Sequence, residues 1–241
     1  MLNISHLTVS YPGRPPALDD VSFSVSPGER VALLGANGAG KSTLLLTLAG
    51  AILPEGGAVT LEGVTLTKET RTQFHQKAGM VFQNPEDQLF LPTVGEDVAF
   101  GLRNLGLPEA AVTQRRDAVL ERLGIGGLKD RLTHHLSGGE KRMAALAGVL
   151  AMEPTLLLLD EPFTFLDPRG RRRLSQCLEA LPQALILATH DLDMALALCD
   201  RAVVLDGGRV AADGPAKDLL RDGARLERWG LELPLSVRLG G

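Results

Sequence analysis

Cysteine is nearly absent: Cys177 and Cys199 are the only two among 241 residues. Two are too few for a disulfide framework in a chain of this size, which predicts a reduced, cytoplasmic setting. An excess of positive charge is missing too. Twenty-five Lys and Arg face 29 Asp and Glu, a formal balance of −4 with histidine neutral, and this argues against a nucleic-acid binder working through a basic surface. Long apolar runs are lacking: the longest, Met143 to Met152, falls short of the roughly 18 residues that a membrane-spanning helix requires. The stretch MLNISHLTVS has no basic flank, apolar core or small-residue cleavage site, so no secretory signal is expected. Long repeats are excluded as well. What the chain does have is 44% hydrophobic and 22% charged residues, enough to bury a core as one large domain or as a core with one subdomain.

Hydrophobic alternation at Leu7, Val9 and Tyr11 and again at Val21, Phe23 and Val25 predicts two half-buried antiparallel strands. From Arg30 the pattern changes to a continuous apolar strand, Val31 to Leu34, then a glycine-rich turn and a helix over Ser42 to Gly50, the opening of a parallel α/β unit. A hairpin is expected around Glu62-Gly63 and a short strand at Met80 to Phe82. Strand signals then vanish until about Met152. Val112, Arg116, Val119 and Leu123, and later Met143, Leu146, Ala147 and Leu150, recur at helical spacing. Leu156 to Leu159 and Ala184 to Ala188 are short and wholly apolar, as buried strands are, and a final hairpin is expected at Gly207-Gly208. The reading is an α/β fold: a mainly parallel core with an N-terminal antiparallel region and an inserted helical subdomain. Its segments are 1–83 (antiparallel region and first part of the core), 84–153 (helical subdomain), 154–215 (second part of the core) and 216–241 (tail). The composition of the tail, with the only tryptophan at Trp229, does not reveal its role.

The segment Gly35-Ala-Asn-Gly-Ala-Gly-Lys-Ser-Thr43 fits the phosphate-loop pattern at every fixed position and lies between the predicted strand and helix, as the mechanism demands. Gly35, Gly38 and Gly40 let backbone N–H groups turn around a polyphosphate, Lys41 brings charge to its outer phosphates, and Ser42 is placed to ligate Mg²⁺. Asp160, at the carboxyl end of the four-leucine strand, supplies the second acid that such a metal shell needs, and Glu161 follows it. Glu161 is also open to a plain turn role before Pro162, and His190, with Asp191 beside it, to simple capping of the next helix.

Leu136-Ser-Gly-Gly-Glu140 contains a capping box in Ser137 and Glu140. Capping alone does not explain Gly138 and Gly139, each costing about 1 kcal/mol against Ala inside a helix. Together they permit close approach of an anion to a helix N-terminus. The arginines 169, 171, 172 and 173 are more simply the solvated face of a helix than a nucleic-acid patch. His134-His135 lacks a third ligand nearby and is read as a loop.

With these motifs in this order, plus Gln83 and the turn Phe165-Leu-Asp167, the chain resembles the ATP-binding-cassette (ABC) ATPases over nearly its whole length. The resemblance implies a phosphate-loop NTPase core of ABC type and a head-to-tail dimer. In that dimer the signature of one subunit (Ser137, Gly138, Gly139, Glu140) covers nucleotide held by the other. It implies that Gly35, Asn37, Gly38, Gly40, Lys41, Ser42 and Thr43 bind ATP, with Tyr11 stacking on adenine; an isolated strand aromatic would equally be core or surface. It further implies that Ser42, Gln83 and Asp160 hold Mg²⁺, that Glu161 is the catalytic base with His190 sensing the γ-phosphate, and that Asp167 links the two sites. Glu140 stands where many members carry Gln, which leaves its trans contact open.

A single cassette with a short interval between Gln83 and Leu136 favours transport over DNA- or ribosome-directed ATPases, and Glu161 with His190 disfavours a module that has lost hydrolysis. The stretches Gly79 to Phe90 and Glu96 to Leu107 are similar to the energy-coupling-factor importers, and the ending through Pro215 to their cobalt and nickel members, with vitamin import the runner-up. This resemblance implies a peripheral subunit at the cytoplasmic face of the cell membrane. Its partners would be a second, identical or homologous ATP-binding subunit, a transmembrane coupling subunit and a separate substrate-binding membrane protein, without nucleic acid.

Overall fold

The computed structural model describes residues 1–239. They form two compact units. The first comprises Met1–Ala78, Thr155–Glu161 and the described residues from Pro182 on; the second comprises Gly79–Pro154 and Pro162–Leu181.

The first unit contains two sheets. Strands β1 (Leu2–Val9) and β2 (Leu18–Val25) pair antiparallel, and β1 pairs in turn with β4 (Gly56–Leu61), which pairs with the short β5 (Val64–Thr65). The alternation seen in the sequence sends Ile4, Leu7, Val9, Leu18, Val21 and Val25 inward. Tyr11 lies past the end of β1 rather than in it. The register slips between Ile4 and Leu7, where His6 takes a positive φ and its ring lies 2.7 Å from the Asp20 carboxylate, a bulge at a sheet surface.

The other sheet of this unit orders its strands β10–β9–β3–β8–β7: β10 (Arg209–Pro215), β9 (Arg201–Asp206), β3 (Arg30–Leu34), β8 (Ala184–Ala188) and β7 (Leu156–Asp160). All neighbours are parallel except β10 on β9. Residues 31–34, 156–159 and 184–188 are all buried, as expected for strands covered on both faces. Helix α1 (Lys41–Leu48) follows β3, and α7 (Leu192–Leu198) follows β8. Helix α2 (Arg71–Lys77), which the sequence pattern did not predict, is tied down by Phe74, fully buried, and by Arg71, whose guanidinium donates to the Gly50 and Ala51 carbonyls at 2.8 and 2.9 Å. The tail is folded too, as α8 (Ala216–Leu219), α9 (Gly223–Arg228) and α10 (Leu235–Leu239), with Ala216, Leu220 and Leu226 fully buried.

The chain leaves the first unit at β6 (Ala78–Val81), and the second unit is helical. Helix α3 (Val94–Asn104) carries a complete capping box from Thr93 and Glu96; α4 (Glu109–Arg122) and α5 (Gly138–Ala151) follow it. Val98 and Leu102, Val112 and Leu120, and Met143, Leu146 and Leu150 supply the buried stripes. The sequence placed residues 154–215 together in the core, but α6 (Pro168–Glu179) belongs to the second unit. The reason is local: Leu174 and Leu178 are buried there, and Arg173 donates to the Leu123 and Gly124 carbonyls at 3.0 and 2.7 Å.

Candidate functional site

Gly35, at the end of β3, has φ 144°, and a Cβ there would lie 2.3 Å from the Leu205 carbonyl oxygen. Gly40, with φ 105°, is similarly closed in by the Ala17 carbonyl. These two glycines are therefore required by the fold itself. Gly38 also has a positive φ but meets nothing within 4 Å, and Asn37 beside it is exposed, so the crest of the loop is open. Helix α1 begins at Gly40 without a side-chain cap. Its first N–H groups are thus left for a ligand, and the helix dipole favours an anion there.

Lys41 folds back on this loop. Its ammonium donates to the Gly35 carbonyl at 2.6 Å and to that of Ala36 at 3.0 Å. Burial pushes its pKa below the usual lysine value, opposed by the charges of Glu161 and Asp160. Asp160 is buried at the end of β7. Glu161 follows with φ 46°, a left-handed conformation that costs a non-glycine residue about 1 kcal/mol or more and tends to mark functional positions. Its amide donates to the Ala188 carbonyl at 2.9 Å. Its carboxylate lies 2.8 Å from Nδ1 of His190 and accepts from the Thr189 hydroxyl at 3.3 Å. Asp191 does cap α7, accepting from the Met194 amide at 3.0 Å, but that task leaves the His190 ring free to meet Glu161. Tyr11 places its hydroxyl 3.3 Å from Thr43 Oγ1, at the start of α1. The hydroxyl of Ser42, which is exposed, and the Asp160 carboxylate are the oxygen donors that Mg²⁺ prefers, so this donor set fits such an ion.

The second unit holds the remaining predicted residues. Ser137 caps α5, its hydroxyl accepting from the Glu140 amide at 3.3 Å, while the Glu140 carboxylate accepts from the Ser137 amide and hydroxyl at 2.8 Å each. The Ser137 backbone bond holds the Glu140 carboxyl below the ordinary glutamate value, aided by its hydroxyl. Glu140 also pairs with Arg131 at 3.1 Å. A Cβ on Gly138 would meet nothing within 4 Å, and one on Gly139 only Leu166 at 3.9 Å, so neither glycine is demanded by packing inside this chain. Gly79 and Gly101 differ: a Cβ there would lie 2.4 Å from Val149 and 2.7 Å from Met152. Asp167 caps α6 through the Gly170 amide at 2.7 Å and shares a cleft of about 240 Å³ with Ser137, Glu140, Arg169 and Arg173. Gln83 is exposed just beyond β6.

The arrangement is thus a polyphosphate cradle beside paired carboxylates and an imidazole, all at the carboxyl ends of parallel strands, plus a separate capped helix end with two sterically unforced glycines. Residues 18–164 match the family model described as ABC transporter. The chain belongs to the ABC transporter family. As an ABC ATP-binding domain it binds ATP and is an ATPase of the transport type.

Relatives include a cobalt import ATP-binding protein CbiO of Rhodobacter capsulatus, 48% identical over 97% of this chain and 85% of its own length. Another is an energy-coupling factor transporter ATP-binding protein EcfA of Methanothermobacter thermautotrophicus, 43% identical over 99% of this chain and 78% of its own. Among solved structures, cbiO1 of Clostridium perfringens, part of the ABC transporter complex cbiONQ, superposes with TM-score 0.84 at 36% identity, covering 99% and 98% of the two chains. A dimeric ATP-binding cassette in a post-hydrolysis state with ADP and phosphate gives TM-score 0.81 at 25% identity, covering 90% and 99%.

The sequence reading missed Thr189, whose hydroxyl bonds Glu161, and Asp193, whose carboxylate accepts from the Leu235 and Ser236 amides at 3.0 Å each and so fixes α10. It also missed Arg142, an arginine buried inside the second unit. Nothing in the local pattern marked these residues, because their partners lie far away in the chain.

Proposed function

We propose that this ABC ATPase powers an importer of energy-coupling-factor type, with cobalt or nickel ions as the cargo. The observation that carries the hydrolytic part is the Glu161 carboxylate held 2.8 Å from the His190 ring beside the phosphate-loop lysine. In this reading backbone N–H groups at Gly38, Gly40 and the start of α1 receive the ATP phosphates, and Lys41 exchanges its loop carbonyls for phosphate oxygens. Tyr11 and Asn37 border the nucleotide, Thr43 lies on the phosphate side of α1, and Glu161 accepts the proton of the attacking water. His190 orients that carboxylate and meets the γ-phosphate. Ser42, Asp160 and Gln83 would hold Mg²⁺, which when bound neutralises charge on the β- and γ-oxygens. The open Gly138 and Gly139 on a capped helix end, with Ser137 and Glu140, receive the nucleotide of a second ATP-binding subunit, and Asp167 joins the two sites. Closure follows because ATP binds the paired state better than the separated one.

The relatives' names, a cobalt import protein, energy-coupling factor transporter proteins and part of a cbiONQ complex, support cobalt import and membrane partners. Nickel as the other cargo, a transmembrane coupling subunit, a separate membrane protein that binds substrate, a peripheral place at the cytoplasmic face and no engagement of nucleic acid belong to the same reading. Among the described residues no helix is long and apolar enough to cross a membrane; in this reading the choice of cargo belongs to the substrate-binding partner. Segments 84–153 and 216–241 are read as the signature-bearing and tail parts of the subunit. The test is to trap tagged Glu161→Gln protein with ATP in gently solubilised native membranes and to identify co-purifying proteins by mass spectrometry. A polytopic subunit with a small His-rich membrane protein is the expected result. A vitamin-binding membrane protein would replace the cargo, and ribosomal or DNA-associated proteins without a membrane subunit would overturn transport altogether.

A further inference from the structure

The side chain of Arg142 is among the largest fully buried ones in the described chain, at 2% exposure. Burying a guanidinium is costly unless its hydrogen bonds are made. This one donates from Nη1 to the Phe82 carbonyl and from Nη2 to the Gln83 carbonyl, each at 2.5 Å. A planar fork spanning two successive carbonyls fixes the peptide between them in a way that a single ammonium cannot. Two further ties run the same way. The Gln88 side chain accepts from the Phe82 amide and donates to the Ala145 carbonyl, at 3.2 Å each, and Lys141 pairs with Glu86. Segment 82–88 is therefore stitched to the first turns of α5, the helix whose N-terminus carries Ser137, Gly138 and Gly139.

We infer that Arg142 is a positioning residue for hydrolysis: its guanidinium sets the backbone of Gln83 and makes that residue move as one body with the signature helix. This rests on the proposed role of Gln83 at the metal and water. In that reading Gln83 acts through its side chain, and Arg142 holds the peptide from which that side chain projects. Arg142 touches neither nucleotide nor water in this scheme. Its loss therefore leaves ATP affinity intact and lowers turnover.

The test uses the full-length chain and the variants Arg142→Lys, Arg142→Met, Gln83→Ala and the double variant Arg142→Lys/Gln83→Ala. For Arg142→Met, kcat is expected to fall about 10- to 100-fold, the scale of an ångström-sized misplacement near a reacting centre, while the Kd for ATP stays within about twofold. Arg142→Lys should restore part of kcat. If the arginine acts through Gln83, the double variant hydrolyses ATP about as fast as Gln83→Ala alone. Amide hydrogen exchange should quicken across 82–88 with α5 still protected, whereas a melted unit would lose protection in both. Where Arg142→Met does not fold, Arg142→Lys carries the same comparison. Multiplicative losses in the double variant, or wild-type kcat in Arg142→Lys and Arg142→Met alike, would overturn the inference. Failure of the underlying reading looks different: Lys41→Ala would keep its ATP turnover, or Gln83→Ala would match wild type.

Discussion

Lys41 and Glu161 sit in one charge cluster, and the tasks proposed for them are separable by mutation. Lys41 is partly desolvated against two loop carbonyls, with Asp160 and Glu161 as the nearby opposing charges. Lys41→Ala is expected to weaken ATP binding by about tenfold or more, on the scale of a charged hydrogen bond worth roughly 1.5–3 kcal/mol, as read by calorimetric titration. Glu161→Gln keeps the size and the His190 contact but not the basicity. It is expected to bind ATP, lose about 10²- to 10⁴-fold in turnover, the usual range for a general base, and run as a dimer in ATP-containing gel filtration. Ordinary turnover from a monomer would remove Glu161 from the role of base.

Glu140 gives a pH-dependent case. Its folded-state pKa is depressed, first by the Ser137 backbone bond, so its contribution is present above the ordinary glutamate pKa and fades as pH falls through the folded value. Glu140→Gln should therefore melt a little below wild type at pH 7, with the gap closing in acid below about pH 4, the range where carboxylates titrate. A gap that persists in acid would show that charge plays no part in this cap.

At the scale of elements, glycines in the same unit fall into two kinds. Gly79 faces Val149 and Pro154 so closely that a Cβ would approach to 2.4 Å, and Gly79→Ala is expected to cost about 1–3 kcal/mol, as overpacking does. Gly138 starts α5 with open space around it, so Gly138→Ala should leave thermal unfolding unchanged or slightly improved, since Ala is the better helix former, and still lower ATP turnover. Loss of stability without loss of turnover at Gly138 would mean that these glycines serve the fold alone. The contrast between α1 and α5 follows the same logic. One helix leaves its N-terminus uncapped at Gly40, and the other closes its own with a complete capping box. A ligand of the α1 end therefore meets bare backbone N–H groups, whereas a ligand of the α5 end meets a serine hydroxyl already engaged with Glu140.

At the scale of the whole molecule, the tail is part of the first unit. Leu226 is fully buried, Gly230 comes close enough to the phosphate loop that a Cβ would lie 3.3 Å from that of Ala36, and Asp193, just after His190, holds the amides of Leu235 and Ser236. Ending the chain after Pro215 strips Ala216, Leu220 and Leu226 from the core. It is expected to destabilise the protein by several kcal/mol, since one buried leucine is worth about 2–5 kcal/mol when truncated to Ala. Denaturant unfolding of that truncation measures this, and an unchanged midpoint would mean that the tail does not support the core.

Much of the architecture was legible in the residues. Continuous leucines over 156–159 can only be a buried strand, and the alternation of β1 and β2 survives in their register, as in Ile4 opposite Phe23 and Leu7 opposite Val21. Helices α2 and α3 escaped notice: α2 is short, and the stretch holding α3 reads as a family motif before it reads as an apolar stripe. The phosphate loop and the capping box at Ser137 and Glu140 were readable because their physics is local, with groups a few residues apart satisfying one another's backbone. Other features arise only where distant segments meet, and chain folding brings them together through burial rather than through any nearby pattern. So it is with the His190 ring against Glu161, Tyr11 against Thr43, α6 joined to the helical unit, and the Arg142 fork on the Phe82 and Gln83 carbonyls. The sequence by itself determined the kind of chemistry; the tertiary structure decided which side chains aim and restrain it, because only packing sets the distance between residues that are remote in the chain.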